Sequence, residues 1–482
     1  MSDPGTASLG RTTVSMTGVL AQSVGFMGPV FSVATLLPLI VGLSATGRGA
    51  GVATPVAIII AGLGIFGAGW VIAQYAKRIH LCGSLYEYIC DAFGPRIGIV
   101  AGWTYFGAML VLAAATFLVL GGMTQEFLLA AFSVNVPWWV LSLVFVAIVT
   151  TIVVVGVQVS VRAQLALVLI SSAIVLIFSI YIIAKGGLGG NSLSATPFNP
   201  FAVSGPDLLF GVLYGINMFI GFESAANLAE ETDNPKRHVP RAVLWSLTIV
   251  GAYFIITAYA QAVGFGLDGT AWKTSVFPLQ VLSSGSEFGS SGFGLFLSVF
   301  VILDILAVAI GVGVAATRGM LAMARAGRLP STLATVHPRF RTPVVGATLI
   351  AVVSVAMILL VALTDGVFAR AEGQPQWAPM FGWMAGFAGT GLALMYLTVS
   401  AAGARGLWNE VNRVKLLVAA SAGILVSGGA VFGAVYKASS PLDTVPWTLG
   451  SWIAVGVIWS LVVTRRRPAT SINPVLPSGG QL

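Results

Sequence analysis

Twelve apolar runs, each long enough to cross a bilayer, leave this chain very few ways to fold. A helical span needs about 20 residues. The runs fall at 17–43, 52–76, 97–122, 137–157, 163–184, 207–231, 241–265, 291–323, 344–363, 380–401, 414–436 and 446–464. In lipid, every backbone polar group must find its partner inside the protein, so runs of this length read as helices. Only 8% of the residues are charged and 57% are hydrophobic, whereas a soluble domain carries about 25% charged residues. The expected fold class is an all-α polytopic membrane protein whose first partner is the lipid bilayer. The first, sixth and eighth runs exceed a straight span, and tilt, kinks or extension past the bilayer would absorb the excess.

The net charge of +8 does not point to nucleic acid, because the basic residues stand singly between apolar runs. Their distribution sets orientation instead. With twelve spans both termini share a face. If that face is cytosolic, it holds nineteen of the 24 Lys and Arg residues, among them Arg11, Lys77, Arg78, Arg162, Lys236, Arg318, Arg328 and Arg467. The opposite face holds Arg48, Lys185, Lys273, Arg370 and Lys437. The positive-inside rule therefore predicts both termini in the cytosol. The polar start at residues 1–14 carries one basic residue, Arg11, and does not read as a cleavable signal.

Two spans carry signs of interruption. From Tyr214 to Phe222 the sixth run is apolar; Gly221 then offers a place to unwind, and Glu223 puts a carboxylate into the span. Glu230, Glu231, Asp233, Asn234 and Pro235 form a polar exit. The alternative is a helix that simply ends near Gly221. The first run holds Gly25, Gly28 and Pro29 near its middle, and proline opposes a straight helix, although a kink alone would satisfy that. Two broken spans five apart point to inverted repeats with a site between the halves.

The acids and hydroxyls narrow the chemistry. Of 16 Asp and Glu residues, only Glu223 and Asp304 fall deep within runs. A carboxylate in hydrocarbon is costly, which makes each a functional candidate, with a purely structural role as the alternative. Asp304, Val308, Gly311 and Val312 share one helix face by their spacing. Ser171 and Ser172 lie inside the fifth run, where a hydroxyl most often bonds its own backbone. Trp103 and Tyr105 in the third run read first as packing or interface aromatics. His80, His238 and His337 are all in loops, and Cys82 and Cys90 share one loop between the second and third runs, predicting free thiols and no metal site. No catalytic triad, phosphate loop or cofactor motif is present, so an enzyme has no support and no cofactor is expected.

Several motifs now carry a resemblance. Gly221-Phe222-Glu223, Glu230-Glu231, Asn234-Pro235 and Pro240-Arg241-Ala242 resemble the sixth-helix signature of the amino acid–polyamine–organocation permeases. Gly83-Ser84-Leu85-Tyr86-Glu87-Tyr88 and Gly102-Trp103 resemble the family's second-to-third helix region. Arg318 to Pro330, with His337 and Thr342-Pro343, resembles the passage from the eighth helix to the ninth. The resemblance implies a LeuT-type fold with discontinuous helices 1 and 6 and a five-plus-five inverted repeat. It divides the chain into a cytosolic tail at 1–14, a ten-helix core at 15–401 (repeats at about 15–184 and 206–401), peripheral helices at 402–464 and a cytosolic tail at 465–482.

It also implies alternating access around a site at the two breaks, in a plasma-membrane protein whose small-molecule substrate is an amino acid or related organic amine. The expected lining is Gly25, Phe26, Met27 and Gly28 of the first span, with Tyr105 of the third. The sixth adds Asn217, Met218, Phe219 and Gly221, and the eighth adds Asp304, Val308 and Val312. Many amino acid members have a Gly-x-Gly turn in helix one; here it is Met27-Gly28-Pro29, and Pro29 lacks an N–H. Any ligand carboxylate is expected at the amides near Gly25 to Gly28. Asn217 stands where an aromatic gate is frequent, and its amide suits a polar ligand group. Alternatives are a polyamine or small-amine importer without amino acid specificity, and an amine-binding sensor or channel. Sodium-coupled relatives use eighth-helix hydroxyls, which the stretch 305–316 lacks; proton-coupled ones use a fifth-helix lysine, where this chain has Ser171. That leaves proton-linked movement or uncoupled exchange, with Glu223 the expected proton site, Asp304 the expected ligand contact and Ser171 an accessory.

Overall fold

The computed structural model describes residues 14–42, 48–81, 83–370, 374–436, 438 and 440–466, apart from the side chains of 157–164 and 466. Expectations for the tail at 1–13 with Arg11, for Cys82, for the side chain of Arg162, for Lys437 and for the tail from Arg467 onward lie outside the described residues. Cys90 is a buried free thiol.

Twelve helical spans form among the described residues, at Met16–Val41, Gly51–Tyr75, Pro95–Phe132, Trp138–Val155, Leu165–Gly190, Gly205–Asn227, Pro235–Gly264, Ser291–Arg325, Val344–Leu363, Ala378–Gly406, Arg413–Val435 and Leu442–Arg465. The third outruns its apolar run, continuing to Phe132 until Ser133 turns left-handed at φ 56°. The loop between the second and third spans is not irregular throughout. It folds a short helix, Leu85–Phe93, which buries Leu85, Tyr86, Tyr88 and Ile89. The run was too short to read as a span, and its burial comes from tertiary contacts rather than from lipid.

The first and sixth spans lie at the centre. In each, 94% of the apolar window is buried inside the protein, against 22% for the twelfth span. That burial is what permits irregular backbone at membrane depth. Around this pair, the second span packs on the sixth, seventh and eleventh, and the third packs on the eighth, tenth and twelfth. Trp103 belongs to this scaffold: its indole stacks on Trp452 with centroids 4.8 Å apart, and each N–H donates to the other's carbonyl.

On the face that carries the chain ends, the start of the first span is tied to the end of the sixth. Val14 donates to the Glu231 carbonyl at 2.7 Å and accepts from the Asp233 N–H at 3.1 Å, a one-residue parallel bridge. Arg318 of the eighth span, 1% exposed, donates from Nε to the Glu231 carboxylate at 2.7 Å. Arg325 pairs with Glu230 at 3.3 Å. Together these contacts seal the terminal face beneath the sixth span.

Removing one partner of a buried pair strands the other charge. Arg318→Ala is therefore expected to cost about 3–5 kcal/mol, read as a fall in melting temperature of the purified protein. The double change Arg318→Met with Glu231→Leu should recover most of it, and no recovery would mean that the pair is not the source. Nearby, burial first and the Glu230 carboxylate second push Glu87 up from 4.5 to about 7, against the pull of Arg328. A carboxyl that holds its proton more tightly when folded stabilises most at low pH, and loses that contribution as pH rises toward its folded value. The melting temperature of the parent should thus fall relative to Glu87→Gln between about pH 4.5 and 7. Parallel profiles would exclude the shift.

Candidate functional site

Both central helices break at mid-membrane, and the breaks meet. The first span is helical over Met16–Met27, turns left-handed at Gly28 (φ 52°) and resumes at Pro29. Pro29 is the first residue of the resumed helix, where a missing N–H costs nothing and the fixed φ helps. The sixth span is helical over Gly205–Phe219, runs irregularly through Ile220–Glu223 with Gly221 at φ 116°, and resumes at Ser224–Asn227. A Cβ on Gly221 would lie 2.6 Å from Phe26 Cγ, so a side chain there would drive the two breaks apart. The Ser23 hydroxyl fastens them, donating to the Phe222 carbonyl at 2.9 Å.

Each break has a carboxylate for its open amides. At the first, Val30 and Phe31 donate their N–H groups to Asp304 Oδ2 at 3.0 and 2.8 Å. The Ser171 hydroxyl reaches Asp304 Oδ1 at 3.0 Å and shares its single proton with the Leu167 carbonyl at 2.8 Å. At the second, Glu223 Oε2 accepts from the Gly221 N–H and from the Tyr396 hydroxyl, both at 3.1 Å. The five ion pairs among the described residues all lie elsewhere, so neither deep acid has a cationic partner.

The Met27 carbonyl at the first break and the Val33 carbonyl just beyond it are also bonded. Ser32 donates to the Met27 carbonyl at 2.9 Å, and Gln261 of the seventh span donates to that of Val33 at 2.9 Å. A π-helical turn at Ser32–Leu36 follows.

The expected residues divide by direction. Phe26 and Met27 are buried against the sixth-span break, and Val308 closes on Gly28 from the eighth span. Gln22 bonds the Gly311 carbonyl at 3.3 Å, which brings the Asp304–Val308–Val312 face onto the first span. The amides of Gly25 to Gly28 are not open donors, which corrects the expectation for that turn. They belong to the helix, and the N–H of Gly28 itself bonds the Val24 carbonyl at 3.1 Å. Free donors begin two residues later, at Val30. Asp304 is committed to those donors. Phe219 turns away from the break, its ring 5.3 Å from Phe254 of the seventh span, while Met218 is fully buried.

Asn217 faces the tenth span, donating from Nδ2 to the Ala385 carbonyl at 2.9 Å, and its Oδ1 is buried with no donor among the described residues. Tyr105 accepts from Asn227 at 3.4 Å and lines a cavity of about 10 Å³ on the terminal side, with Tyr86, Met320 and Met323. Toward the opposite face lies a larger cavity of about 50 Å³, lined by Thr35, Tyr214, Trp377 and Phe381.

Sequence reasoning missed Tyr396, Ser23, Ser32 and Gln261. The available signal was polar side chains within apolar runs; Gln22 and Gln261 stand out by that test, but single hydroxyls do not.

Gly28 carries both a left-handed dihedral and a tight contact, since a Cβ there would lie 2.1 Å from Val308 Cγ2. Gly28→Ala should cost about 1–3 kcal/mol through overpacking and add the left-handed penalty, measured by thermal unfolding. Adding Val308→Ala should recover the packing share and leave the dihedral share. Full recovery would show that the turn does not need glycine.

With this geometry in hand, known proteins give a consistent picture. The chain is 28% identical over 312 residues to a methylthioribose transporter of Bacillus subtilis (strain 168), covering 61% of this chain and 64% of that protein, just under two thirds of its length. It is 24% identical to the branched-chain amino acid permease BcaP of the same organism, covering 66% and 70%. It is 24% identical to the low-affinity putrescine importer PlaP of Escherichia coli (strain K12), covering 59% and 62%. Among solved structures it resembles the Eremococcus coleocola manganese transporter, with TM-score 0.58 at 13% identity, over 93% of this chain and 95% of that one. That likeness, with the discontinuous first and sixth spans, shows a LeuT-type fold. The amino acid permease profile matches residues 24–425, from within the first span to within the eleventh and including both breaks, and the chain is a member of that family within the amino acid–polyamine–organocation superfamily.

Proposed function

We propose that this chain is a secondary transporter of an amino acid or a related organic amine, working by alternating access across the plasma membrane with both termini in the cytosol. The observation that carries the reading is the pair of abutting, buried helix breaks, each with a carboxylate that has no cationic partner among the described residues. Irregular backbone at membrane depth, enclosed by protein, is the usual ground of a transport site. The family match and relatives named for branched-chain amino acids and putrescine support this class of cargo, while the relative named for methylthioribose supports a small organic cargo only.

In this reading the two cavities are the remnants of two access routes. The seal of Val14, Glu231 and Arg318 closes the cytosolic route, and the larger cavity at Tyr214 and Trp377 marks the outer one. The repeats run over about 15–184 and 206–401, and the eleventh and twelfth spans stand outside them. Glu223 and Asp304 are the deep groups able to take up and release a proton, and the eighth-span stretch 305–316 lacks hydroxyls for sodium until Thr317. Coupling is therefore to protons, or absent in an exchanger. Glu223, held by Gly221 and Tyr396, is the proton site.

Purified protein in liposomes is tested for counterflow and for uptake under imposed proton or sodium gradients, over a panel of amino acids, polyamines and small amines. Counterflow of at least one member is expected, with no response to sodium. Any proton response should drop at least tenfold in Glu223→Gln. Sodium-driven accumulation would overturn the coupling, and binding without counterflow would favour the sensor or channel.

A further inference from the structure

The transporter reading leaves the charge type of the cargo open, and the first-span break bears on it. We propose that the substrate is an amine without a carboxylate, because the place where a substrate carboxylate would be held is already filled by Asp304. This rests on the transporter reading and concerns the same site.

A helix that restarts inside the membrane presents amides to whatever anion lies before it. Here the restart at Pro29 leaves two such amides, Val30 and Phe31, and both donate to one oxygen of Asp304, a residue 274 positions away on the eighth span. Asp304 is 0% exposed, and its second oxygen faces Ser171. Its Oδ2 would lie 3.4 Å from a Cβ on Gly28, so the carboxylate occupies the mouth of the turn itself. A substrate carboxylate would have to displace a tethered one or sit beside it, against like-charge repulsion in a poorly screened interior.

The sixth-span break has the opposite need. On its two sides, Asn217 Oδ1 and Glu223 Oε1 are buried acceptors with no donor among the described residues, in side chains 6% and 0% exposed. An acceptor left unpaired at this depth is costly, and a ligand rich in N–H donors would satisfy both. The first break thus refuses an anion, and the second asks for a donor.

The test uses pairs that differ only by the carboxylate: putrescine and ornithine, 3-methylbutylamine and leucine, ethanolamine and serine. Binding to the full chain is measured by thermal shift and titration, and exchange by counterflow. The amine of a pair is expected to bind at least tenfold more tightly than its acid. Any acid that binds as tightly as its amine overturns the inference. Asp304→Ala empties the slot and should narrow the gap for the acids at least tenfold; an unchanged gap overturns it. Should that variant not fold, Asp304→Asn keeps an acceptor before the two amides and should keep the amine preference; equal binding of acid and amine there overturns it. The two readings fail separately. An acid bound more tightly and exchanged defeats the inference and leaves the transporter. An amine bound but never exchanged defeats the transporter and leaves the selectivity.

Discussion

A helix interrupted in a bilayer must find partners for the amides and carbonyls that the interruption frees, and most of this structure serves that need. Water is not available at that depth, and each unmet group costs several kcal/mol. The partners come from four different helices. Asp304 on the eighth span takes the amides of Val30 and Phe31. Gln261 on the seventh takes the Val33 carbonyl. Tyr396 on the tenth joins the Gly221 amide on Glu223. Ser23 on the first takes the carbonyl of Phe222 on the sixth. The breaks are thus the points at which the bundle is cross-linked.

The cross-linking also explains the placement of the two deep acids. Each is held by at least one backbone amide at a break, and neither has a basic side chain to answer it among the described residues. Basic side chains in the structure meet acids at the edges of the bundle, at Arg48 with Asp207 and at Arg318 with Glu231. Backbone dipoles at the centre and ion pairs at the rim divide the electrostatics by depth. In the proposed function, an ion pair at the centre would occupy the groups that take up a proton or meet a donor.

How much of this was legible in the sequence follows from the range of each signal. The twelve spans were legible because lipid imposes a length and a composition on every one. The sixth-span break was legible because Gly221 and Glu223 lie two residues apart within an apolar run, and a polar exit at Asn234-Pro235 follows. The first break was legible to within a residue, but its donors were assigned to the wrong side of Pro29. A proline followed by a resumed helix moves the open amides forward, and only the dihedral of Gly28 reveals that. The commitment of Asp304 was out of reach, since it depends on a contact 274 residues away. The direction of Phe219 was equally hidden. Successive helical residues point about 100° apart, and where a helix is about to break, its neighbours cannot be extrapolated from the pattern before it. The short helix at Leu85–Phe93 was missed because its burial is supplied by the tertiary fold.

The bridge at Val14 gives the first half of the first span a mechanical character. Met16–Met27 is a rod of twelve residues, about 18 Å long at 1.5 Å per residue. One end pivots at Gly28, and the other is pinned by two hydrogen bonds around Thr232. A swing of about 10° at the pivot carries the pinned end by roughly 3 Å, which is beyond hydrogen-bond reach. Along its length the rod is also fastened to its neighbours, by Ser23 to the Phe222 carbonyl of the sixth span and by Gln22 to the Gly311 carbonyl of the eighth. A tilt large enough to open the latch would have to break those bonds with it, so the latch, the turn and the two neighbouring spans form one mechanical unit.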